Sequence, residues 1–399
     1  MANCQVCNKE ISLTLIDMGL MPIANALLKN AESKSDYHPL QVLLCSQCKL
    51  FQLSVRLDPK TIFNNYFYHS SYSSSWLDHA RDFTIKTKGF IDFSKNNFIL
   101  EVASNDGYLL KNFEQERFKV LGIEPAKNVA DIAIKAGIPT ESIFFNEQTA
   151  IDLVNRHGKP KLIIANNVLA HVPDIKGFLR ALEIICSDNS YISIEFPSVI
   201  NLIKNVQFDT IYHEHFTYLS LNTLKQLILD INLKIFKVEN LTTHGGSLRV
   251  WLTKKTNTVK IEDSVNIEMV KEIKSEIFNS STLISFSKKA FNRKEKFDNF
   301  VKKVMNENKT IFAYGAAAKG ISFLNFCGNS AKKISGVFDK NKMKQGSFIP
   351  GLSIEILNPN YIKEIKPDYI IILPWNLKEE IIKEFNFISN WNGKFVSFE

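Results

Sequence analysis

Phe98-Ile-Leu-Glu101-Val-Ala-Ser-Asn-Asp106-Gly107-Tyr-Leu-Leu110 reads as a short apolar strand that passes through a polar turn into a helix. The same alternation continues on its C-terminal side. Lys119–Glu124, Ser142–Phe145, Lys161–Asn166 and Tyr191–Phe196 are strand-like, and helical spacing fills 107–115, 127–136, 147–157 and 174–186. Strands alternating with helices specify a parallel sheet wrapped by helices, a doubly wound α/β fold. Ligands of such sheets lie beyond the carboxyl ends of the strands, where the strand order reverses. The turn at 103–107 therefore opens on a binding site.

Its chemistry narrows the ligand. A dinucleotide fingerprint needs three spaced glycines for close approach of a pyrophosphate, and this turn has one. A polar, carboxylate-bearing turn suits a cationic, phosphate-free ligand, and S-adenosyl-L-methionine is the leading candidate. Glu101, Ser104, Asn105, Asp106 and Gly107 would hold its methionine end. Glu124 ends the second strand, 23 residues after Glu101, where an acid typically takes ribose hydroxyls; Pro125 would flank the adenine. Asn166 and Asn167 leave the neighbouring strand toward the same pocket, and Asp174 is a helix N-cap.

Outside this block the chain has other material. At about 150 residues per domain, 399 residues suggest two or three domains. The formal charge of +8 is spread along the chain, which gives a soluble surface and a field favouring an anionic small molecule. No apolar run approaches membrane-helix length, and Met1-Ala-Asn-Cys-Gln-Val-Cys7 has no apolar signal core. A cytoplasmic location with reduced thiols is expected. Cys4-x-x-Cys7 and Cys45-x-x-Cys48 can then offer four thiolates to one tetrahedral, structural Zn2+.

Two later runs flank His244-Gly-Gly246, at 233–239 and 247–253, and should pair antiparallel. Residues 262–308 are polar, Lys/Glu-rich and nearly free of Gly and Pro, and read as one long or broken helix acting as a spacer. Lys309–Gly315 starts a second α/β unit, with strands at 334–339 and 369–374. Its turn Gly315-Ala-Ala-Ala-Lys319-Gly320 would let backbone approach an anion at a helix start. Gly315, Ala317, Lys319 and Asp339 are candidates for binding the phosphates and ribose of a substrate; NAD is the alternative ligand, although the third glycine spacing is not met. Between the two units lies Phe208-Asp-Thr-Ile-Tyr212-His213-Glu214-His215-Phe216. If extended, it would alternate Tyr212 and Glu214 with His213 and His215; a sharp turn would instead bring Tyr212, Glu214 and His215 together.

With E-V-A-S-N-D-G-Y-L-L, N-N-V-L-A-H-V-P-D, Y-H-E-H-F, T-H-G-G-S-L-R and G-A-A-A-K-G, the whole chain resembles the nucleotide-sugar C-methyltransferase family. Ala103 departs from a glycine common there. The resemblance implies a class I adenosylmethionine-dependent methyltransferase sheet with a small N-terminal zinc module and a C-terminal Rossmann-like domain. The expected divisions are 1–75 (zinc module and aromatic linker), 76–255 (methyltransferase), 256–308 (helical connector) and 309–399 (substrate binding). It implies methylation of a ring carbon, C-3 expected, of a 4-keto-deoxysugar nucleotide, and sugar-site roles for Tyr212, Glu214, His215, His171 and a tyrosine of the linker, Tyr66 or Tyr68. A carbon beside a ketone needs a base before it is nucleophilic. His215 fits that role, Tyr212 is second, His171 would bond the keto oxygen, and His244 could reach the same cleft. Expected partners are the nucleotide sugar, with neither nucleic acid nor membrane, and the expected state is a monomer or weak dimer. The alternatives are O- or N-methylation of a similar sugar, and a zinc-ribbon nucleic-acid methyltransferase or binding module. The last needs basic residues clustered with aromatics near the cysteines, a patch not evident here.

Overall fold

The computed structural model describes residues 2–63, 70–72, 74–94 and 97–399. Tyr66 and Tyr68 lie outside the described residues.

The N-terminal part is all β. A short pair, β1 (Ala2–Asn3) and β2 (Glu10–Ile11), precedes β3 (Leu13–Pro22), β4 (Tyr37–Leu44) and β5 (Phe51–Leu53). This module has no core of its own. Leu15, Met21, Leu40, Val42 and Phe51 share one apolar cluster with Leu283, Phe286 and Ile321. Cys4, Ile11, Leu43 and Leu50 share another with Leu219, Leu221 and Leu224.

The middle part carries β6 (Phe98–Val102), β7 (Lys119–Ile123), β8 (Thr140–Glu141), β9 (Leu162–Asn166), β10 (Tyr191–Pro197), β11 (Thr217–Tyr218), β12 (Leu233–Leu241) and β13 (Ser247–Lys254). Seven of them form one sheet in the order β12-β13-β10-β9-β6-β7-β8. β6 through β10 run parallel, and β13 enters antiparallel to both β10 and β12. β6 and β9 are buried along their whole length, as strands covered on both faces must be. The order reverses between β6 and β9, so the carboxyl ends of these two strands flank the switch point.

The helices begin where the sequence puts capping residues. Asn146 and Thr149 form a reciprocal capping box for Glu147–His157, a device of about 1 kcal/mol. Asp174 caps Ile175–Ile185 by accepting from Gly177 N–H. The third strand differs from the sequence reading. It is Thr140–Glu141, and Ser142–Phe145 is not a strand. Ile143 and Phe145 pack on the apolar cluster beneath the helices, Phe145 edge-on to Phe178 at 5.4 Å, while Phe144 is exposed.

The 256–308 stretch forms two helices, Asp263–Lys274 and Ser280–Asn306. The second buries Leu283, Phe286, Ala290, Phe297, Val301 and Val304 against the neighbouring parts. The C-terminal unit has β14 (Ile311–Tyr314), β15 (Val337–Phe338), β16 (Ile356–Leu357), β17 (Tyr369–Ile372) and β18 (Lys394–Val396). They form a parallel sheet in the order β16-β15-β14-β17-β18. Among the described residues no helix is long and apolar enough to cross a membrane.

β11 does not join the strands beside it in sequence. It pairs with β5 and becomes the edge of the sheet β11-β5-β4-β3. The segment that leaves Tyr212–Phe216 is thus built into the cysteine module.

Candidate functional site

At the end of β6 the chain takes two left-handed non-glycine residues, Ala103 (φ 56°) and Asn105 (φ 51°), before Gly107 (φ 78°). Left-handed backbone costs roughly 1–2 kcal/mol for an ordinary residue, less for asparagine. The glycine-to-alanine departure at 103 is therefore paid in backbone strain and not in width. The turn is fastened from both sides. Asn105 N–H and Ala126 N–H donate to the two Glu124 oxygens at 3.0 and 2.9 Å. Ser70 N–H donates to Asn105 Oδ1 at 2.9 Å and Ser71 N–H to Asp106 Oδ2 at 3.1 Å, so the linker lies over the turn. Gly122 makes room, because a Cβ there would sit 2.3 Å from Ser104 Oγ.

Carboxylates converge on this turn. Burial pushes the Glu101 carboxyl well above its usual range, and the nearby Asp106, Glu124 and Glu195 charges push it further. Burial likewise raises Glu124 to about 7. Glu101 Oε2, Ser104 Oγ and Asp106 Oδ1 are buried with no hydrogen-bond partner among the described residues. A cation placed here would relieve the repulsion and use the orphaned acceptors. The two asparagines after β9 separate. Asn166 is occupied: its Nδ2–H donates to Glu195 Oε1 at 3.3 Å and its Oδ1 accepts Ser193 Oγ–H at 3.1 Å. Asn167, left-handed at φ 56°, keeps both side-chain polar atoms buried and unpartnered among the described residues. Pro125 follows Glu124 directly and leads into the Lys127–Lys135 helix.

Residues 212–215 form a tight turn closed by His215 N–H on Tyr212 O at 3.0 Å, so the extended alternative does not occur. The turn brings two of the three expected side chains together. His215 Nδ1 lies 2.9 Å from Thr210 O; a carbonyl can only accept, so the proton is on Nδ1. Nε2 is then an acceptor, and Tyr212 O–H donates to it at 2.9 Å. Burial holds the His215 imidazole well below its usual pKa, and nearby His171 adds to the shift. His171 packs edge-on to it with ring centroids 4.6 Å apart. Burial also lowers His171 to about 4, partly offset by its contact with the Glu214 carbonyl. Glu214 itself turns toward the cysteine module, where its Oε1 accepts Asn25 N–H at 3.3 Å. His213 points the same way, edge-on to His38 at 5.9 Å.

His244 stands between these groups. It is left-handed at φ 54°, its ring lies 4.8 Å from that of Trp76, and burial lowers it to about 4. Lys319, Glu195, His79 and His171 are all near enough to act on its charge. Gly245 after it (φ 83°) has no room for a Cβ, which would meet the Trp375 ring at 2.3 Å. Trp375 ties the C-terminal unit to the 208–215 segment: its Nε1–H donates to Asp209 Oδ2 at 2.6 Å, and Lys319 Nζ lies 4.9 Å above its ring. Ser322 Oγ–H donates to Ile211 O at 2.6 Å.

In the C-terminal turn, Gly315 is left-handed at φ 92° and Ala317 starts the Ala318–Cys327 helix without a side-chain cap. Asp339 is committed to its own backbone, accepting Ala316 N–H at 2.7 Å and Asn341 N–H at 2.8 Å. Lys344 was not read from the sequence. It is buried, donates to Ala316 O at 2.8 Å, and burial lowers its pKa. Trp76, His79, Glu195 and Arg249, which line the same region, were not read from the sequence either; the hairpin alone sets Glu239 beside Arg249, and Glu195 joins them only through the sheet order.

The Cys4, Cys7, Cys45 and Cys48 sulfurs lie within 4.8 Å of one another. The knuckles are equivalent: Asn8 N–H returns to Cys4 O and Lys49 N–H to Cys45 O, both at 2.9 Å, with Asn8 and Lys49 each at φ 57°. Val6 N–H and Cys48 N–H point at the Cys4 and Cys45 sulfurs at 3.5 and 3.4 Å. A zinc–sulfur bond of ~2.3 Å places tetrahedral sulfurs ~3.8 Å apart, and Cys7 and Cys45 stand at 3.6 Å. The donor set fits one zinc ion.

A doubly wound sheet with one antiparallel strand inserted beside the last edge, and a cation-ready turn at its switch point, defines a class I methyltransferase. Three family models match in succession: a zinc binding domain over 4–63, a methyltransferase domain over 77–238 and a C-methyltransferase C-terminal domain over 242–398. The C-methyltransferase NovU of Streptomyces niveus is 30% identical over 396 residues, spanning 98% of this chain and 94% of NovU. The chain belongs to this C-methyltransferase family, and it is an adenosylmethionine-dependent methyltransferase with an N-terminal zinc-binding domain. Among solved structures, it resembles the PH0226 protein of Pyrococcus horikoshii OT3 (TM-score 0.37, 9% identity, 49% of this chain and 98% of that one). It also resembles the magnesium protoporphyrin IX methyltransferase ChlM of Synechocystis PCC 6803 (TM-score 0.36, 13% identity, 50% and 99%).

Proposed function

We propose that the chain methylates a ring carbon, C-3 expected, of a 4-keto-deoxysugar nucleotide through an enolate. Adenosylmethionine, when bound, supplies an electrophilic methyl group. Glu101, Asp106 and Asn167 face its methionine end, and Glu124 and Pro125 its adenosine. The single observation that carries the reading is the hydrogen-bonded Tyr212–His215 pair.

His215 is neutral, with its Nε2 lone pair aimed at a phenol. The Tyr212 oxygen can take the proton from the sugar carbon as its own proton passes to Nε2. His215 thus remains the base and Tyr212 becomes its relay. The low basicity of a buried imidazole is raised as the anionic enolate forms beside it. His171 would then donate to the enolate oxygen. Lys319 and the uncapped helix start after Ala317 suit the nucleotide phosphates. Asp339 already accepts two backbone N–H groups, so its part is to shape that turn. The reaction would take place in the cytoplasm, where reduced thiols remain available to zinc.

The test is mass spectrometry of products from a panel of keto-sugar nucleotides with labelled adenosylmethionine in D2O. The reading expects carbon-bound label and solvent deuterium at the methylated position in the absence of donor. His215→Ala should lose about 10²–10⁴-fold in turnover while still binding adenosylmethionine. Label on oxygen or nitrogen without carbon–hydrogen exchange would replace carbon methylation by the heteroatom alternative.

A further inference from the structure

The face of the main sheet under the Ser74–Lys88 helix should be apolar, yet a row of charged and amide side chains crosses it. The register aligns Glu239 with Arg249, Arg249 with Glu195, and Glu195 with Asn166 on four successive strands. Arg249 Nε–H donates to Glu195 Oε1 at 2.6 Å, Arg249 also pairs with Glu239, and Trp251 Nε1–H donates to Glu239 Oε1 at 2.6 Å. The Glu195 side chain is wholly buried and the Arg249 side chain is 2% exposed. Such a row is costly to desolvate, and an apolar row of the same volume would serve stability as well. A role in placing neighbours is the remaining physical reason for it.

From the Ser74–Lys88 helix the Phe83 ring covers Arg249 at 4.7 Å, and a polar side chain of the same helix also reaches this row. His79, on the Ser74–Lys88 helix, donates Nε2–H to Glu195 Oε2 at 3.0 Å. Its ring stacks on Trp76 one turn earlier, at 5.0 Å and 23°. The other side of the Trp76 cluster meets His244 at 4.8 Å and Tyr108, just after the donor turn, at 6.2 Å. The contacts run Glu195, His79, Trp76, His244, from the sheet into the cleft.

We infer that His79 is a positioning residue for methyl transfer: its bond to Glu195 sets Trp76, and Trp76 sets His244 and the wall of the cleft beside the donor turn. This rests on the reading of that cleft as the place of methyl transfer. His79 touches neither reactant; it acts through the two rings.

The experiment uses the full-length chain. His79→Ala should lower kcat by about 10- to 100-fold, the scale of a misplaced group, with the KM for adenosylmethionine changed by no more than about threefold. His79→Gln can offer an N–H near the position of imidazole Nε2 and should restore most of the loss; His79→Asn is too short and should not. Trp76→Leu leaves the charged row intact and should show the same loss as His79→Ala, and the double variant no further loss. Glu195 keeps Arg249 and Asn166 in every variant, so none leaves a lone buried charge. A second readout needs no acceptor: the Trp76 share of the near-ultraviolet circular dichroism (wild type minus Trp76→Phe) should vanish in the His79→Ala background and persist with His79→Gln. If wild type methylates no keto sugar, the functional reading fails while the dichroism still decides the positioning. Normal kcat in His79→Ala, equal rescue by Gln and Asn, additive losses, or an unchanged Trp76 signal would each overturn the inference.

Discussion

Replacing Arg249 by leucine should expose what the buried row does for the sheet. In the wild-type chain burial alone would raise the Glu195 carboxyl, but the His79 and Arg249 contacts outweigh it and hold the group below its usual value. Arg249→Leu removes the cation and leaves a wholly buried carboxylate with His79 and Asn166 as partners. Breaking a buried pair from one side costs about 3–5 kcal/mol. At ~1.4 kcal/mol per decade, that is roughly a 10²- to 10⁴-fold rise in local opening. Native-state hydrogen exchange read by mass spectrometry on peptides from Tyr191–Pro197 and Ser247–Lys254 would measure it. The pH dependence gives a second check with opposite signs. In wild type the depressed Glu195 value adds stability that is present above the unfolded value near 4.5 and lost as the pH falls through the folded one. In Arg249→Leu the same carboxyl is raised by burial, so protection should grow as the pH drops from 7 toward 4.5. Replacing both partners, Glu195→Leu with Arg249→Leu, should recover most of the protection without recovering turnover. Exchange in the single variant within threefold of wild type, at both pH values, would refute the claim that Arg249 is needed to compensate the buried Glu195 charge.

Other outcomes are sharp enough to measure. Gly245→Ala, forced to φ 83° with a Cβ 2.3 Å from the Trp375 ring, should displace the C-terminal unit from the 208–215 segment; the KM for the proposed nucleotide sugar should rise at least tenfold, and the donor affinity by titration calorimetry should be unchanged. Asn167→Ala should weaken adenosylmethionine binding by about tenfold, one charge-assisted hydrogen bond, whereas Asn166→Ala should act on stability through Glu195, as thermal unfolding would report. Burial raises Glu124 to about 7, so its contribution to stability is full below about 4.5 and is lost as the pH rises through 7. Glu124→Gln should therefore be the more stable protein at pH 8, by at most about 3 kcal/mol, and should lack the rise in donor affinity expected of wild type between pH 6 and 8. Chelation of zinc should loosen β5 and with it β11, seen as faster exchange in the 212–218 peptide before any change in β6 or β9.

How far the sequence could be read depended on the range of the interactions. The strands β6, β7, β9 and β10 announce themselves because a buried parallel strand needs an unbroken apolar run, and Asp174 and Asn146 sit where local capping demands them. The cysteine set is legible for the same reason, since each knuckle is made within a few residues. What could not be read was decided by partners far along the chain. Whether Y-H-E-H-F lies extended or turned depends on β11 joining β5, 165 residues away by Thr217 and Gln52. The row beneath the first long helix needs β13 inserted between β10 and β12, a topological fact that no local pattern carries. Ser142–Phe145 misled because an apolar run can pack on helices as well as in a sheet.

These long-range partners also give the three parts of the chain a common task. The turn at 212–215 has almost no regular structure to hold it, and each of its three neighbours contributes two constraints. The cysteine module takes its exit strand through β5 and its Glu214 through Asn25 N–H. The C-terminal unit takes its entry through Ser322 on Ile211 and Trp375 on Asp209. The main sheet supplies His171, and Phe216 N–H closes on Ala170 O at 2.8 Å. If Tyr212 and His215 transfer a proton as proposed, they must keep their geometry to within a few tenths of an ångström, and a short loop alone does not. On the proposed function, the cysteine module and the C-terminal unit both act on the same two side chains, Tyr212 and His215. Loss of either should lower kcat before it lowers donor affinity, and a variant of Cys45 or Ser322 that weakened adenosylmethionine binding while leaving turnover intact would contradict that division of labour.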